Sequence, residues 1–413
     1  MLWQPSLDDY YTRMPADEAA RLITERREQL GESLVILGHH YQTDEVIRHA
    51  DFTGDSLKLS QLAASVSSER AVEHVMFCGV HFMAETADML TPEHVKVILP
   101  DLSAGCSMAD MADYDDTVEA WNLLHESLKS QGWAGRIIPI TYVNSTAAIK
   151  AFVGQHGGAC CTSSNADTVF DWAMRGGEQP DNGDEIKILF LPDQHLGRNT
   201  AAKYGIDTDA ATCVYDPRRT RQGEPLGGAT AEQLRDASVV LWAGHCSVHK
   251  LFRPEHCAQI REANRQAAGD EPTRIIVHPE CAKEVVDLAD DSGSTEYILR
   301  TVRESPRGSR WAVGTEVHLV NRLAAEMAPR GVHVRILSDC QCLCTTMYRI
   351  DQPHMLWILD NLCGIRIKDG ESKSGKPRAL NVISVHPEVR SLALKALDRM
   401  LTLSQRPSTT EVD

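Results

Sequence analysis

Cysteine recurs at three matched places in this chain of 413 residues, each time closing an apolar run: VILPDLSAGC (97–106), VVLWAGHC (239–246) and VRILSDCQCLC (334–344). Each run ends a stretch that opens on an apolar, β-branched segment stopping at polar residues: LVILGHHY (34–41), RIIPITYVN (136–144) and RIIVHPE (274–280). From His39 to Cys106 is 67 positions and from His278 to Cys344 is 66, whereas Tyr142 to Cys246 is 104 because an irregular charged segment intervenes. A repeat of this size implies three like units, each offering one thiolate to a shared centre. Three protein thiolates on one cofactor are the pattern of an iron–sulfur cluster whose remaining iron has no protein ligand.

The group Cys340, Cys342 and Cys344 cannot form disulfides among neighbours two apart without strain, so it reads as a soft-metal signal. Zinc prefers four ligands in closed pairs such as C-x2-C, and no second pair exists; Cys160 and Cys161 are adjacent, a poor chelate. His245 and His249 flank Cys246 four apart and could hold zinc from one helical face, while Cys246 alone reads equally as a core thiol. Cys78, Cys213, Cys257, Cys281 and Cys363 default to packing. His39, with Tyr41 two residues on, and His278 both follow apolar strands at matching points of the repeat. Histidine there can hold an anionic group and move protons near neutral pH, or it can simply cap the strand. Glu280 beside a metal site could act as general base if its surroundings raise its pKa towards neutrality. Ser56, Ser163 and Thr295 stand near expected helix starts, where free amides and hydroxyls cradle anions or merely cap the helix. No Walker loop, G-x-G-x-x-G, H-E-x-x-H or G-x-S-x-G motif occurs, which argues against nucleotide, hydride-transfer, zinc-protease and esterase chemistry.

These side chains need rigid elements behind them. A helical lead-in over DEAARLITERREQL stops at Gly31, and the run LVILGHHY (34–41) then leads into alternating helices and strands up to VKVILP. Strand–helix alternation is the grammar of a parallel, doubly wound α/β layer, which binds ligands beyond the carboxyl ends of its strands. The polar residues singled out all fall at such ends. The expected divisions are a first α/β unit over 1–115, a second over 116–250 with an exposed loop insert at 197–237, and a third over 251–344. Residues 345–413 supply C-terminal helices packing on the first unit and a disordered tail, SQRPSTTEVD.

Composition narrows the partners. The formal net charge of −16 argues against nucleic-acid or anionic-membrane surfaces, and an anionic substrate would need a locally positive pocket. No apolar run approaches the ~20 residues that span a bilayer. The N-terminus lacks the basic and apolar regions of a signal peptide. Twelve cysteines in such a chain read as reduced thiols, and the expected location is cytoplasmic.

Taken together, the segments GHHYQ, ADFTGDSLKLS, FCGVHFMAETADML, LPDLSAGCSMAD, TYVNSTAAIKA, CTSSNA, FLPDQHLGRN, WAGHCSVH, HPEC, DSGSTEYI and VGTEVHLVNRL resemble the quinolinate synthase family of de novo NAD biosynthesis. The resemblance covers about residues 34–350. It implies three similar α/β/α sandwich domains with parallel sheets around a pseudo-threefold axis and a central 4Fe-4S cluster. It also implies condensation of iminosuccinate with dihydroxyacetone phosphate to quinolinate, releasing phosphate and water. An L-aspartate-oxidising enzyme would supply the iminosuccinate. Carried over by motif, the cluster ligands are Cys106, Cys246 and Cys344, with Cys342 the runner-up to Cys344. Family members use C-x2-C-x2-C or C-x-C there, and this chain has C-x-C-x-C. The implied substrate contacts are His39, Ser56, Tyr142, Asn144, Ser163, His278, Glu280 and Thr295, with Tyr41 close to the chemistry and Glu280, Tyr41 and His278 moving protons. Rival readings are another iron–sulfur hydro-lyase acting on a hydroxy acid and a thiol-based metal or redox sensor.

Overall fold

Short β-branched runs bounded by turn residues become buried parallel strands, and the polar residues that follow them are left at the strand ends. The computed structural model describes residues 3–69, 71–179, 183–267, 271–339, 342–368 and 370–405. The first sheet contains β1 (Leu34–His39), β2 (Phe52–Gly54), β3 (His74–Cys78) and β4 (Lys96–Ile98). The second contains β5 (Arg136–Tyr142), β6 (Ala159–Cys161), β7 (Ile186–Leu191), β8 (Thr212–Tyr215) and β9 (Val239–Trp242). The third is built from β10 (Thr273–Val277), β11 (Asp291–Ser292), β12 (Arg310–Gly314) and β13 (His333–Ile336). Near the C-terminus, β14 (Ile365–Lys368) and β15 (Glu371–Ser374) form a hairpin, and β16 (Val382–Ile383) adds to the first sheet.

The three sheets share one strand order. It runs β2-β1-β3-β4, β6-β5-β7-β9 and β11-β10-β12-β13, with β16 added beyond β4 and β8 beyond β9. All pairings within these orders are parallel except β16 against β4. This is a doubly wound order, in which the chain leaves its first strand in opposite directions and opens a crevice at the carboxyl ends. The likeness extends to single hydrogen bonds. The carboxylate of Asp51 accepts from the amide of Ile36 in β1 at 2.7 Å, and Asp290 accepts from Ile275 in β10 at 2.6 Å. Each aspartate is held in turn by an arginine, Arg27 or Arg261. Both sheets thus fasten their central strand with the same Arg–Asp–amide chain.

Contacts divide the chain into two compact units. One lies within Met1–Cys106, Glu316–Arg322 and Leu343–Val385 and holds the first sheet and the hairpin. The other lies within Ser107–Thr315, Leu323–Cys342 and His386–Asp413 and holds the second and third sheets. Two expectations need correction. The segment 197–237 is not simply loop: it carries most of the helix Gln194–Lys203, the strand β8 and the helix Ala231–Asp236. Its Gly and Pro residues punctuate real elements, and Tyr215 of β8 is buried and stacked on Trp242. The last helix, Pro387–Ser404, packs not on the first unit but on the helix Ala147–Gln155 and β6 of the second sheet. Its buried face (Ala393, Ala396, Leu397, Met400, Leu403) has small residues that permit that close approach. Of the expected disordered tail SQRPSTTEVD, Ser404 is instead the last residue of the helix and Gln405 caps it, and residues 406–413 lie outside the described residues.

The helix Gln352–Leu362 packs on the helix Ala16–Leu30 through a buried charge. Asp360 accepts from Arg26 Nε at 2.8 Å and from the Tyr11 hydroxyl at 3.1 Å. Burial raises the Asp360 pKa, and its two partners pull it back down. Removing one partner of such a pair strands the other charge. Arg26→Ala is expected to cost about 3 kcal/mol in urea unfolding at pH 7, and Asp360→Asn added to it to recover part of that loss.

Candidate functional site

Every candidate side chain follows the carboxyl end of a strand. In the first unit His39 closes β1, Ser56 opens the helix after β2, and Cys106 lies in the loop after β4. Cys344 follows β13 in sequence and precedes the helical turn Met347–Arg349. His39 is buried, and its Nδ1 accepts from the Tyr41 amide at 3.1 Å, with the Tyr41 ring edge-on at 4.7 Å. That bond fixes the proton on Nε2, which becomes a donor. Arg322 braces the same loop through the carbonyl of His40 at 2.9 Å and that of Gln42 at 2.5 Å.

In the second unit His278 repeats the arrangement. It follows β10, and its Nδ1 accepts from the Glu280 amide at 3.3 Å, so it too presents Nε2–H. The amides of Gln42 and Cys281 bond back to the carbonyls of His39 and His278 in matching turns. Burial lowers the His278 pKa to about 3, with Glu280 opposing and His249 adding to the shift. His278 is therefore a neutral hydrogen-bond donor at physiological pH.

Glu280 is buried and stands at the centre of a hydrogen-bonded array. His249 Nδ1 donates to its Oε2 at 2.8 Å, and His249 Nε2 accepts from the Thr315 hydroxyl at 3.1 Å. The His249 ring stacks on His278 with centroids 4.5 Å apart. Burial alone would push the Glu280 carboxyl up; the neighbouring imidazoles of His249 and His278 and hydrogen bonds from His249 and Tyr142 overcome it and hold the group below its ordinary range. The condition set for an isolated general base, a raised pKa at Glu280, is thus not met, because partners outweigh desolvation.

Cys246, His249 and Glu280 offer ligand atoms within 4.8 Å of one another, a group able to hold a metal ion. Gly244 makes this approach feasible. A Cβ there would stand 2.2 Å from the Pro192 carbonyl oxygen, so only glycine lets the loop after β9 lie against the loop after β7. Beneath it Asp193 is fully buried and accepts from the amides of His195 at 2.7 Å, Leu196 at 2.9 Å and Cys246. Burial and the nearby Glu280 charge raise the Asp193 carboxyl well above its usual range. Asn199 fastens the Glu280 loop by donating to the carbonyls of Pro279 at 2.8 Å and Cys281 at 2.9 Å.

Of the other expected contacts in the second unit, Tyr142 ends β5 and is buried, and Thr295 is the buried first residue of its helix, with Ser294 as cap. Asn144 keeps a buried Oδ1 without a hydrogen-bond partner among the described residues, and Ser163 is half-buried after β6. His245 and His249 do not share a metal. His249 turns inward to Glu280, whereas His245 accepts from Lys250 Nζ at 3.3 Å.

The thiols sort by exposure. Cys78, Cys160, Cys161, Cys281 and Cys342 are fully buried, and burial pushes Cys78 and Cys160 to about 12. Cys106, Cys246 and Cys344 are half-buried on loops, and so is Cys363 at the end of its helix, whose Sγ turns to the Arg26 carbonyl at 3.9 Å. Burial also raises Cys344, opposed by the Thr346 hydroxyl and the amides of Met347 and Thr346, donors suited to a thiolate. Cys342 instead meets the Ser338 hydroxyl at 3.2 Å inside the core. A half-buried thiol keeps the access that a soft metal ligand needs, which the inert buried thiols lack. Cys340 lies outside the described residues. Sequence reasoning missed His249 as the partner of Glu280, along with Asp193, Asn199 and Thr315. The spacing in His245-Cys246-Ser247-Val248-His249 drew attention to His249 but not to which way it faces.

Residues 21–402 match the protein family described as "NadA: Quinolinate synthetase A protein". The chain is 50% identical over 396 residues to a quinolinate synthase of Acidobacterium capsulatum, covering 96% of this chain and 95% of that protein. It is 47% identical over 397 residues to one of Bacillus velezensis (96% of each chain) and 46% identical over 378 residues to one of Streptomyces coelicolor (91% and 86%).

Because Glu280 is held ionised by its partners, its stabilising contribution is present above the unfolded carboxylate pKa and is lost as pH falls through the folded value. In His249→Asn, burial outweighs the remaining partners and Glu280 takes up a proton more readily. The variant is expected to lose about 3 kcal/mol at pH 7.5 and less at pH 5, read from urea midpoints at the two pH values.

Proposed function

The chain belongs to the quinolinate synthase family, and on that premise we propose that the array around Glu280 is the proton-handling centre of its reaction. The protein is an enzyme of NAD biosynthesis, a quinolinate synthase. The substrates implied by the family are iminosuccinate and dihydroxyacetone phosphate, condensed to quinolinate with loss of phosphate and water. Iminosuccinate would come from an L-aspartate-oxidising enzyme. Among the described residues no helix is long and apolar enough to cross a membrane, and the proposed location is cytoplasmic.

The proposed cofactor is a 4Fe-4S cluster held by Cys106, Cys246 and Cys344. Half-burial of these three thiols, against full burial of Cys342, supports that choice. Such a cluster, with one iron free of protein ligands, supplies a Lewis acid able to polarise a C–OH bond for dehydration. The common strand order of the three sheets supports three like α/β/α domains, over 1–115, 116–250 and 251–344, about a pseudo-threefold axis with the cluster at its centre.

The protein's own groups then divide the work. His39 and His278 hold their protons on Nε2 and donate to anionic substrate oxygens without adding charge. Ser56, Ser163 and Thr295 contribute hydroxyls, and Tyr142 and Asn144 orient the substrate, with Tyr41 close to the reacting atoms. Glu280 takes part in proton transfer as the ionised half of a pair with His249, 2.8 Å from its Oε2, so a proton removed during imine–enamine interchange is stabilised on the pair and not on an isolated carboxylate. The observation that carries the reading is this buried, ionised carboxylate, hydrogen-bonded to His249 and beside a second, neutral imidazole.

Glu280→Gln, purified without oxygen, is expected to keep the cluster's absorption spectrum and lose at least about a hundredfold in kcat; near-normal turnover would remove Glu280 from the chemistry. Alanine at Cys106, Cys246 or Cys344 should leave iron and sulfide far below wild type, while Cys342→Ala retains both. Iron retained by Cys344→Ala and lost from Cys342→Ala would exchange the assignment of those two residues.

A further inference from the structure

A polar cavity lies in the unit that holds the second and third sheets, and its walls carry cationic side chains. It has a volume of about 520 Å³ and opens where the loops after β7, β9 and β8 meet. These strands are neighbours in the order β7-β9-β8, so their carboxyl ends aim Gln194, His245 and the segment from Asp216 into one space. Beyond such strand ends is where parallel sheets take ligands, and the volume suits a small metabolite. The lining carries Arg218, Arg219 and Lys250 against the single carboxylate of Asp216. In a chain of net charge −16 a concentration of positive charge in a concave site is not background.

The two guanidiniums are held in place. Asp216 grips Arg218 with two bonds of 3.0 and 2.9 Å, and Glu224 grips Arg219 with bonds of 3.1 and 2.5 Å. Each pairing uses Nε and Nη2, so Nη1 of each arginine lies outside the pair. The backbone at Gly228 lies directly on the Arg219 guanidinium. A Cβ there would stand 2.3 Å from Cζ and displace that flexible side chain, and φ of +91° is left-handed, the conformation that favours glycine. Lys250 donates to His245 Nε2, which leaves His245 to offer Nδ1–H. Oriented guanidinium forks and an ammonium are the donor set that recognises a phosphoryl group. The cavity lining includes none of Cys246, His249 and Glu280, the group able to hold a metal ion.

We propose that this cavity is a second anion site that binds a phosphoryl group, either orthophosphate or a small phosphomonoester, outside the catalytic centre. The inference stands on the cavity itself and not on the assigned activity, so turnover and phosphate binding fail independently. The anaerobic enzyme with its cluster intact is titrated calorimetrically at low ionic strength with orthophosphate and, separately, with glycerol 3-phosphate. The expected result is at least tenfold weaker binding at one site in Arg218→Gln/Arg219→Gln, with cluster absorption and kcat unchanged. Unchanged affinity in the double variant overturns the proposal, as does parallel loss of binding and turnover. A measurement on the unmodified enzyme guards against a variant that misfolds. Phosphate should slow phenylglyoxal labelling of Arg218 and Arg219, located by mass spectrometry, several-fold more than chloride at equal ionic strength. Equal protection by chloride would reduce the effect to screening and sink the site. Binding of orthophosphate alone marks the site as one for the free ion; binding of both marks it as a reader of the phosphoryl group on a larger molecule.

Discussion

A carboxylate kept ionised inside the protein is the constraint around which the second unit is arranged. Unpaired, Glu280 would take up a proton, because desolvation of a buried charge costs more than protonation. His249 and Tyr142 prevent this by donating to it, and Thr315 fixes His249 from its other side. These partners arrive from separate loops, after β5, β9 and β12, so the array exists only when all three strand ends are in register. Asn199 and Asp193 brace those loops from the neighbouring helix. The ionised state of one side chain therefore reports the correct assembly of much of two sheets.

The strand order repeated in three sheets explains why so many polar residues can be gathered without destabilising the core. In a parallel sheet the strands are apolar on both faces and the variable chemistry is carried by the loops at one edge. The repetition reaches the Arg–Asp–amide fastening shared by β1 and β10 and the turn that sets the tautomer of His39 and His278. Both imidazoles are thereby made donors. Neutral donors can hold an anionic group by hydrogen bonds without the cost of burying cations.

Burial also separates thiols by role. A fully buried cysteine with a pKa near 12 is a small hydrophobe, whereas a half-buried one beside amide and hydroxyl donors can become a thiolate. That distinction divides Cys342 from Cys344, two residues apart, more clearly than their motif does. The cationic cavity behind β8 has a related origin: the glycines, proline and arginines of residues 216–229 fold a tight loop that holds guanidiniums by their own acidic neighbours.

Much was legible in the sequence because it depends on local pattern. Buried runs of β-branched residues marked β1, β5, β7 and β10, helical periodicity marked the helices, and the spacing of cysteines and strand-end histidines marked where polar residues would lie. The segment 197–237 was misread because β8 is only four residues long and its neighbours are rich in turn formers. The placement of the last helix was illegible because an apolar helical face does not name the surface it covers. So too with the site: types and positions of Glu280 and His249 were available from the chain, but their 2.8 Å contact joins residues 31 apart, and the direction of a pKa shift is set by which such partners arrive. The sequence by itself determined most of the secondary elements and the strand ends at which chemistry collects, since those follow from short-range sterics and periodic burial. Only the tertiary structure decided which thiols stay accessible, which histidine faces the carboxylate and whether that carboxylate keeps its charge, because these depend on distances between loops that no local pattern encodes.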